Sequence, residues 1–80
     1  MPFRALISPH AWREARREQI TLKMIEEAYV YPDFIRPSHH DLDREIRSLY
    51  MSYMSESVLE VVVDTIDGRV VTVWQRRLDP

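Results

Sequence analysis

The stretch Val58-Leu59-Glu60-Val61-Val62-Val63-Asp64-Thr65-Ile66-Asp67-Gly68-Arg69-Val70-Val71-Thr72-Val73-Trp74 decides the fold. Two β-branched runs flank the one glycine of the chain, and Asp-Gly between such runs is a hairpin signal. Two registers are open. A two-residue turn at Asp67-Gly68 pairs Thr65 with Val70 and Val61 with Trp74. A three-residue loop, Ile66-Asp67-Gly68, pairs Thr65 with Arg69 and Val61 with Val73, with Gly68 in a left-handed bulge position. The second sorts the side chains more cleanly. Leu59, Val61, Val63, Val71 and Val73 then share one face. Glu60, Asp64, Thr72, Trp74 and Arg76 share the other, with Val62 and Val70 among them. A slip of one residue would scramble both faces, so we adopt the three-residue loop.

Outward from this hairpin, residues 45–54 alternate like a further strand. Leu49, Met51 and Tyr53 fall on one side; Ser48, Tyr50 and Ser52 fall on the other. The Val-rich strand is therefore expected at the centre of the sheet, between residues 45–54 and 69–77. Phe34-Ile35-Arg36 reads as a short edge strand, and residues 3–7 as an opening strand. Two helices stand between them. Ser8-Pro9 is an N-cap followed by proline at the first helical position, and it opens a helix over residues 9–18. Thr21 caps a second helix that Pro32 ends. Ala11, Trp12, Ala15 and Gln19 gather on one side of the first helix, and His10, Arg13 and Arg17 on the opposite side. Trp12 and Ile25 are expected under the sheet with Val61 and Val63. The predicted order is β-α-α-β-β-β in one domain, residues 1–80. It is an α+β, two-layer arrangement with an antiparallel sheet packed on a helical hairpin.

Composition limits the chemistry. Eighty residues with 45% hydrophobic and 30% charged content make a small globular domain rather than a disordered chain. The absence of cysteine excludes disulfides, thiolate zinc sites and a cysteine nucleophile. A single glycine excludes a Gly-rich phosphate loop. No apolar run suits a membrane span and no export signal is read, so the expected location is cytoplasmic. No cofactor is expected. The net charge is −2 but unevenly spread. Arg4, Arg13, Arg16, Arg17 and Lys23 outweigh Glu14 and Glu18 near the start, whereas residues 51–68 carry only Glu56, Glu60, Asp64 and Asp67. A local basic patch is compatible with this pattern; a wholly basic surface is not.

The opening Ile7-Ser8-Pro9-His10-Ala11-Trp12-Arg13, followed by Arg17 and Gln19-Ile20-Thr21, resembles a small bacterial family of unknown function. That family carries a Ser-x-His-Ala-x-x-Arg pattern and an Arg-Gly-Ile-Ser-like helix junction, with Gln19 here in place of the glycine. The closing hairpin, residues 59–64 and 68–74, resembles the same family. The family is similar to BrnT and, more distantly, to the RelE/ParE toxins. The resemblance implies a RelE-like fold and a toxin-like protein of a toxin–antitoxin system. It implies metal-independent endoribonuclease activity on mRNA, with an antitoxin protein and RNA or the ribosome as partners.

Three groups of residues are candidates for function. The stripe His10, Arg13 and Arg17 supplies an acid or base and two cations. Cleavage of RNA through a 2′,3′-cyclic phosphate needs these, and a plain solvated helix face is the alternative. The loop His39-His40-Asp41, with Asp43, offers His40 as a further acid or base. The same loop has the donor types of a metal site, though no metal is expected there, and an ordinary polar loop is the third reading. The open sheet face collects Tyr50, Trp74, Glu60, Asp64 and either Arg47 or Arg76. An aromatic beside an arginine suits stacked nucleobases, and an exposed Trp suits a protein contact or a homodimer equally. Arg47, Tyr50, Trp74 and Arg76 are therefore the expected RNA- or partner-binding residues.

Overall fold

The computed structural model describes residues 6–39, 41–51 and 56–78. The chain runs α1 (Pro9–Arg17), α2 (Leu22–Val30), β1 (Phe34–Pro37), β2 (Arg44–Met51), β3 (Ser57–Asp64) and β4 (Val70–Arg77). The four strands form one antiparallel sheet in the order β1-β2-β3-β4. Both helices lie on one face, α1 against β4 and α2 against β3 and β2. The arrangement is α+β, and the Val-rich β3 is an inner strand as expected. No helix among the described residues is long and apolar enough to cross a membrane.

The caps form where the residues call for them. The Ser8 side chain accepts from the Ala11 N–H, with Pro9 at the first helical position. Thr21 Oγ1 accepts from the Met24 N–H, and the Thr21 N–H donates back to Met24 Sδ. Both caps satisfy amides that a helix start leaves without partners. Residues 3–5 of the expected opening strand and residues 52–54 of the strand expected over 45–54 lie outside the described residues. What is described of the former is a parallel bridge between Ile7 and Val70. The Val70 N–H donates to the Leu6 carbonyl at 2.8 Å and the Ser8 N–H to the Val70 carbonyl at 3.0 Å.

Between the helices Gln19 takes a left-handed φ of 59°. The Gln19 N–H reaches the Arg16 carbonyl, and the Ile20 N–H reaches the Ala15 carbonyl at 2.8 Å, with Ala15 and Ile20 both buried. This is a Schellman termination, in which glycine is the residue that bears the positive φ without steric cost. Gln19→Gly is therefore expected to stabilise the fold by roughly 0.5–1 kcal/mol, the relief of strain outweighing the added freedom of the unfolded chain. Thermal melting should show a Tm several degrees higher.

The hairpin has the expected pairing at its middle and a different one at its turn. Val61 pairs with Val73 and Glu60 with Trp74, but Val63 faces Val70, and Val71 is passed over as a bulge. Thr65 does not pair with Arg69. The Asp64 N–H bonds to the Arg69 carbonyl, and the Thr65 N–H turns to the Asp43 carbonyl, both at 2.8 Å. Two aspartates wind the longer loop: Asp64 Oδ1 accepts from the Ile66 N–H and Asp67 Oδ1 from the Arg69 N–H. Gly68 has φ 76°, as expected, and the Tyr29 hydroxyl donates to its carbonyl. The bulge moves Val70, fully buried, into the core and leaves Val71 half-buried.

The core joins Ala11, Ala15, Ile20, Met24, Ile25 and Ala28 of the helix layer to Met51, Leu59, Val61, Val63, Val70 and Val73 of the sheet. Trp12 is not in it. Its side chain is 41% exposed, because only the small Ala11 and Ala15 allow α1 to lie close against β4.

Candidate functional site

Leu59 and Val61 point into the core, so the two-residue period of a strand sends Glu60 to the opposite, open face. Glu60 is nonetheless 1% exposed. A carboxylate sheltered from water requires compensating donors, and four side chains from the three other strands supply them. Oε2 accepts from Arg36 Nη1 of β1 and from Ser48 Oγ of β2, both at 2.8 Å. Oε1 accepts from Trp74 Nε1 at 2.9 Å and Arg76 Nε at 3.1 Å, both of β4. Ser48 and Trp74 stand directly beside Glu60 in the register, and the two arginines reach in from opposite diagonals. Burial pushes the Glu60 carboxyl up, but the hydrogen bonds from Arg36, Ser48, Trp74 and Arg76 outweigh it. The net result is a fall from an ordinary 4.5 to about 2.

Beside this knot the sheet carries a groove of about 870 Å³. Phe34, Tyr50, Val58 and Leu78 supply its apolar lining, and Arg36 and Arg76 its cationic edge. Phe34 is 70% exposed and Tyr50 is 45% exposed. Asp33 also lines the groove, where its Oδ2 accepts the Tyr50 N–H at 2.8 Å. Large apolar side chains gathered at one concave, exposed place are a feature of binding surfaces.

Of the residues expected on the open face, the structure brings Trp74 and Arg76 onto Glu60 and places Tyr50 in the adjoining groove with Arg76. Trp74 is half-buried, with its indole N–H committed to the carboxylate. Arg47 lies on the helix face instead. Its guanidinium stacks 4.5 Å from the Tyr29 ring, donates to the Tyr29 carbonyl and pairs with Glu45. It fastens α2 to the sheet, so of Arg47 and Arg76 it is Arg76 that stands on the open face. The register places Asp64 on the same face as Glu60, at the far end of β3 opposite Arg44.

His10, Arg13 and Arg17 sit on α1, on the layer that covers the other side of the sheet, and all three are exposed. Arg17 pairs with Glu14. The Ser-x-His-Ala-x-x-Arg spacing, counted from His10, falls on Glu14, so Arg13 stands one residue early. Arg13 and Arg16 border a shallower depression with Trp12, Ile7 and Ile20. His40 lies outside the described residues. His39 is exposed, and Asp41 pairs with Arg44. Among the described residues no group of three or more His, Asp or Glu is placed to hold a metal ion.

Sequence reasoning missed Arg36, Phe34, Val58 and Leu78. One signal was available for Arg36. A glutamate in the middle of an apolar inner strand demands cations on its own face, and Arg36 lies in the short segment read as an edge strand. Comparison of the chain with protein-family models, with curated proteins and with solved structures finds no match.

The chemistry open to this face is recognition. Each Glu60 oxygen already accepts two hydrogen bonds, and a carboxyl held near 2 neither gives nor takes a proton near neutrality. What Glu60 does is hold two guanidiniums in place, which removes part of the ordering cost of binding.

Proposed function

We propose that the chain is a non-enzymatic binding module that holds a partner protein across the open face of its sheet. The observation that carries this reading is the groove lined by Phe34, Tyr50, Val58 and Leu78 and edged by two arginines anchored on one buried carboxylate. Aromatic and arginine side chains set in a rigid frame are the composition of binding hot spots. A helical hairpin on one face of an antiparallel sheet supports the finer assignment to a RelE-like fold. On that assignment the partner is an antitoxin-type protein met in the cytoplasm. The separation of His10, Arg13 and Arg17 from the groove favours binding over RNA cleavage as the role of the open face.

The double variant Phe34→Ser, Tyr50→Ser tests the reading. Both side chains are well exposed, so circular dichroism and melting should change little. Recovery of a bound protein with the tagged chain should fall at least about tenfold, a loss of roughly 1.4 kcal/mol or more. Undiminished recovery of the same protein by the double variant would remove this face from the binding surface.

A further inference from the structure

We propose that the groove takes an extended chain segment carrying both apolar side chains and a carboxylate, with Arg36 and Arg76 receiving the carboxylate; this rests on the open face being the binding surface. Each arginine spends a single nitrogen on Glu60: Arg36 its Nη1, which also reaches Ser48 Oγ, and Arg76 its Nε. Among the described residues their remaining N–H groups meet no acceptor, and the side chains are 44% and 56% exposed. A guanidinium has five N–H donors in a planar fork, so one that bonds a carboxylate on one side still offers donors to a second anion.

The unspent guanidinium donors at the groove edge fit an anion. Glu60 cancels one of the two arginine charges from below, and its four accepted bonds leave nothing to receive a cationic partner. Asp33, the lining acid, is already held by the Tyr50 amide. A second copy of this face would bring only Glu60 and Asp33 as carboxylates, and both already hold donors of their own chain. Two arginines against Glu60 and Asp33 leave no net positive charge to track a phosphate backbone, and residues 51–68 are wholly acidic in their charges. A carboxylate set among apolar side chains matches both parts of the surface, the apolar lining and the paired guanidiniums.

The experiment uses three ten-residue peptides and a ten-nucleotide single-stranded RNA, each titrated into the isotope-labelled full chain. The first peptide alternates Leu and Glu, the second Leu and Lys, the third Ser and Glu. The Leu/Glu peptide should shift the amide signals of Phe34, Tyr50, Val58 and Leu78. It should bind at least about tenfold more tightly than either other peptide and weaken several-fold as salt is raised. Arg76→Gln should weaken it about fivefold or more. Because that change also loosens Glu60, Phe34→Ala, outside the network, should give a comparable loss with the melt unaltered. Equal or tighter binding of the Leu/Lys peptide at the same signals would overturn the carboxylate assignment while leaving the face as the binding surface. So would RNA shifting those signals with the Leu/Glu peptide silent. If no probe shifts them and protein recovery survives the Phe34→Ser, Tyr50→Ser change, the reading of the face fails as well.

Discussion

Replacing Glu60 by glutamine is expected to cost about 3 kcal/mol of folding stability near neutral pH and to flatten the acid limb of the stability profile. Glutamine keeps the shape but turns one acceptor into a donor. That donor then faces two of the four groups that now donate to Glu60, and the charge that balances Arg36 and Arg76 is gone. The magnitude follows from the titration. The Glu60 carboxyl lies at about 2 in the folded protein and ordinarily at 4.5. At roughly 1.4 kcal/mol per pKa unit, this difference is on the order of 3 kcal/mol. Above the ordinary value the group is ionised in both states, and its whole contribution is present. As pH falls from about 5 toward 2 the unfolded chain takes up a proton that the folded chain resists, so stability drops. Once the folded pKa is passed the contribution is gone. Urea denaturation at a series of pH values checks this. The wild-type chain should lose stability through that window, and the Glu60→Gln chain should lose about 3 kcal/mol less across it. Parallel curves for the two proteins would show that the carboxylate knot does not govern acid stability.

Val61→Ala is the second large effect, an expected loss of roughly 2–3 kcal/mol. Val61 is fully buried, stands between Arg47 and Val73 in the sheet, and belongs to the cluster shared with Ile25 and Ala28 of α2. Removing its two methyl groups forfeits their transfer free energy and leaves a void that neighbours held on a strand cannot close. For so small a domain this is a large share of a total stability of about 5–10 kcal/mol. The urea midpoint should fall with the slope of the transition unchanged. Val58→Ala, three residues away on the open face and half-buried, should lose well under half as much. A Val61→Ala loss no greater than that of Val58→Ala would mean that the two-layer core is not where the stability lies.

The parts of this architecture that could be read early are local ones. Ser8-Pro9, Thr21 and Pro32 act on their own neighbours, so both helix starts and the end of α2 fall within a residue of expectation. The alternation around Glu60 and Trp74 follows the period of a strand once the register is chosen, and the pairing adopted for the middle of the hairpin is the one observed, so their shared open face was legible too. The turn at Asp67-Gly68 was less so. Asp64 and Asp67 each accept the amide two residues on, and the Asp43 carbonyl, more than twenty residues away, claimed the Thr65 N–H. That long-range bond favours the longer loop, and the surplus residue is absorbed as the Val71 bulge. Trp12 went astray for a steric reason. Hydrophobicity placed it inside, but the close approach of α1 to β4 has room for alanines only, and the indole is left at the border of the layer.

The candidate site shows the same division. Tyr50, Trp74 and Arg76 could be named from alternation, which also puts Arg47 on the side of Leu49 and Met51, whereas Arg36 had no assigned face until β1 was paired with β2. The sequence alone determined the elements, their caps, the inner position of the Val-rich strand and the face on which Glu60 would lie, because each depends on residues a few positions apart. Only the tertiary structure decided that Glu60 is buried, that Arg36 of β1 and Arg76 of β4 converge on it, and that Phe34, Tyr50, Val58 and Leu78 line one groove. Those facts depend on which strands lie side by side and in what register, and that choice is made by the free energy of the whole packed sheet rather than by any segment of it.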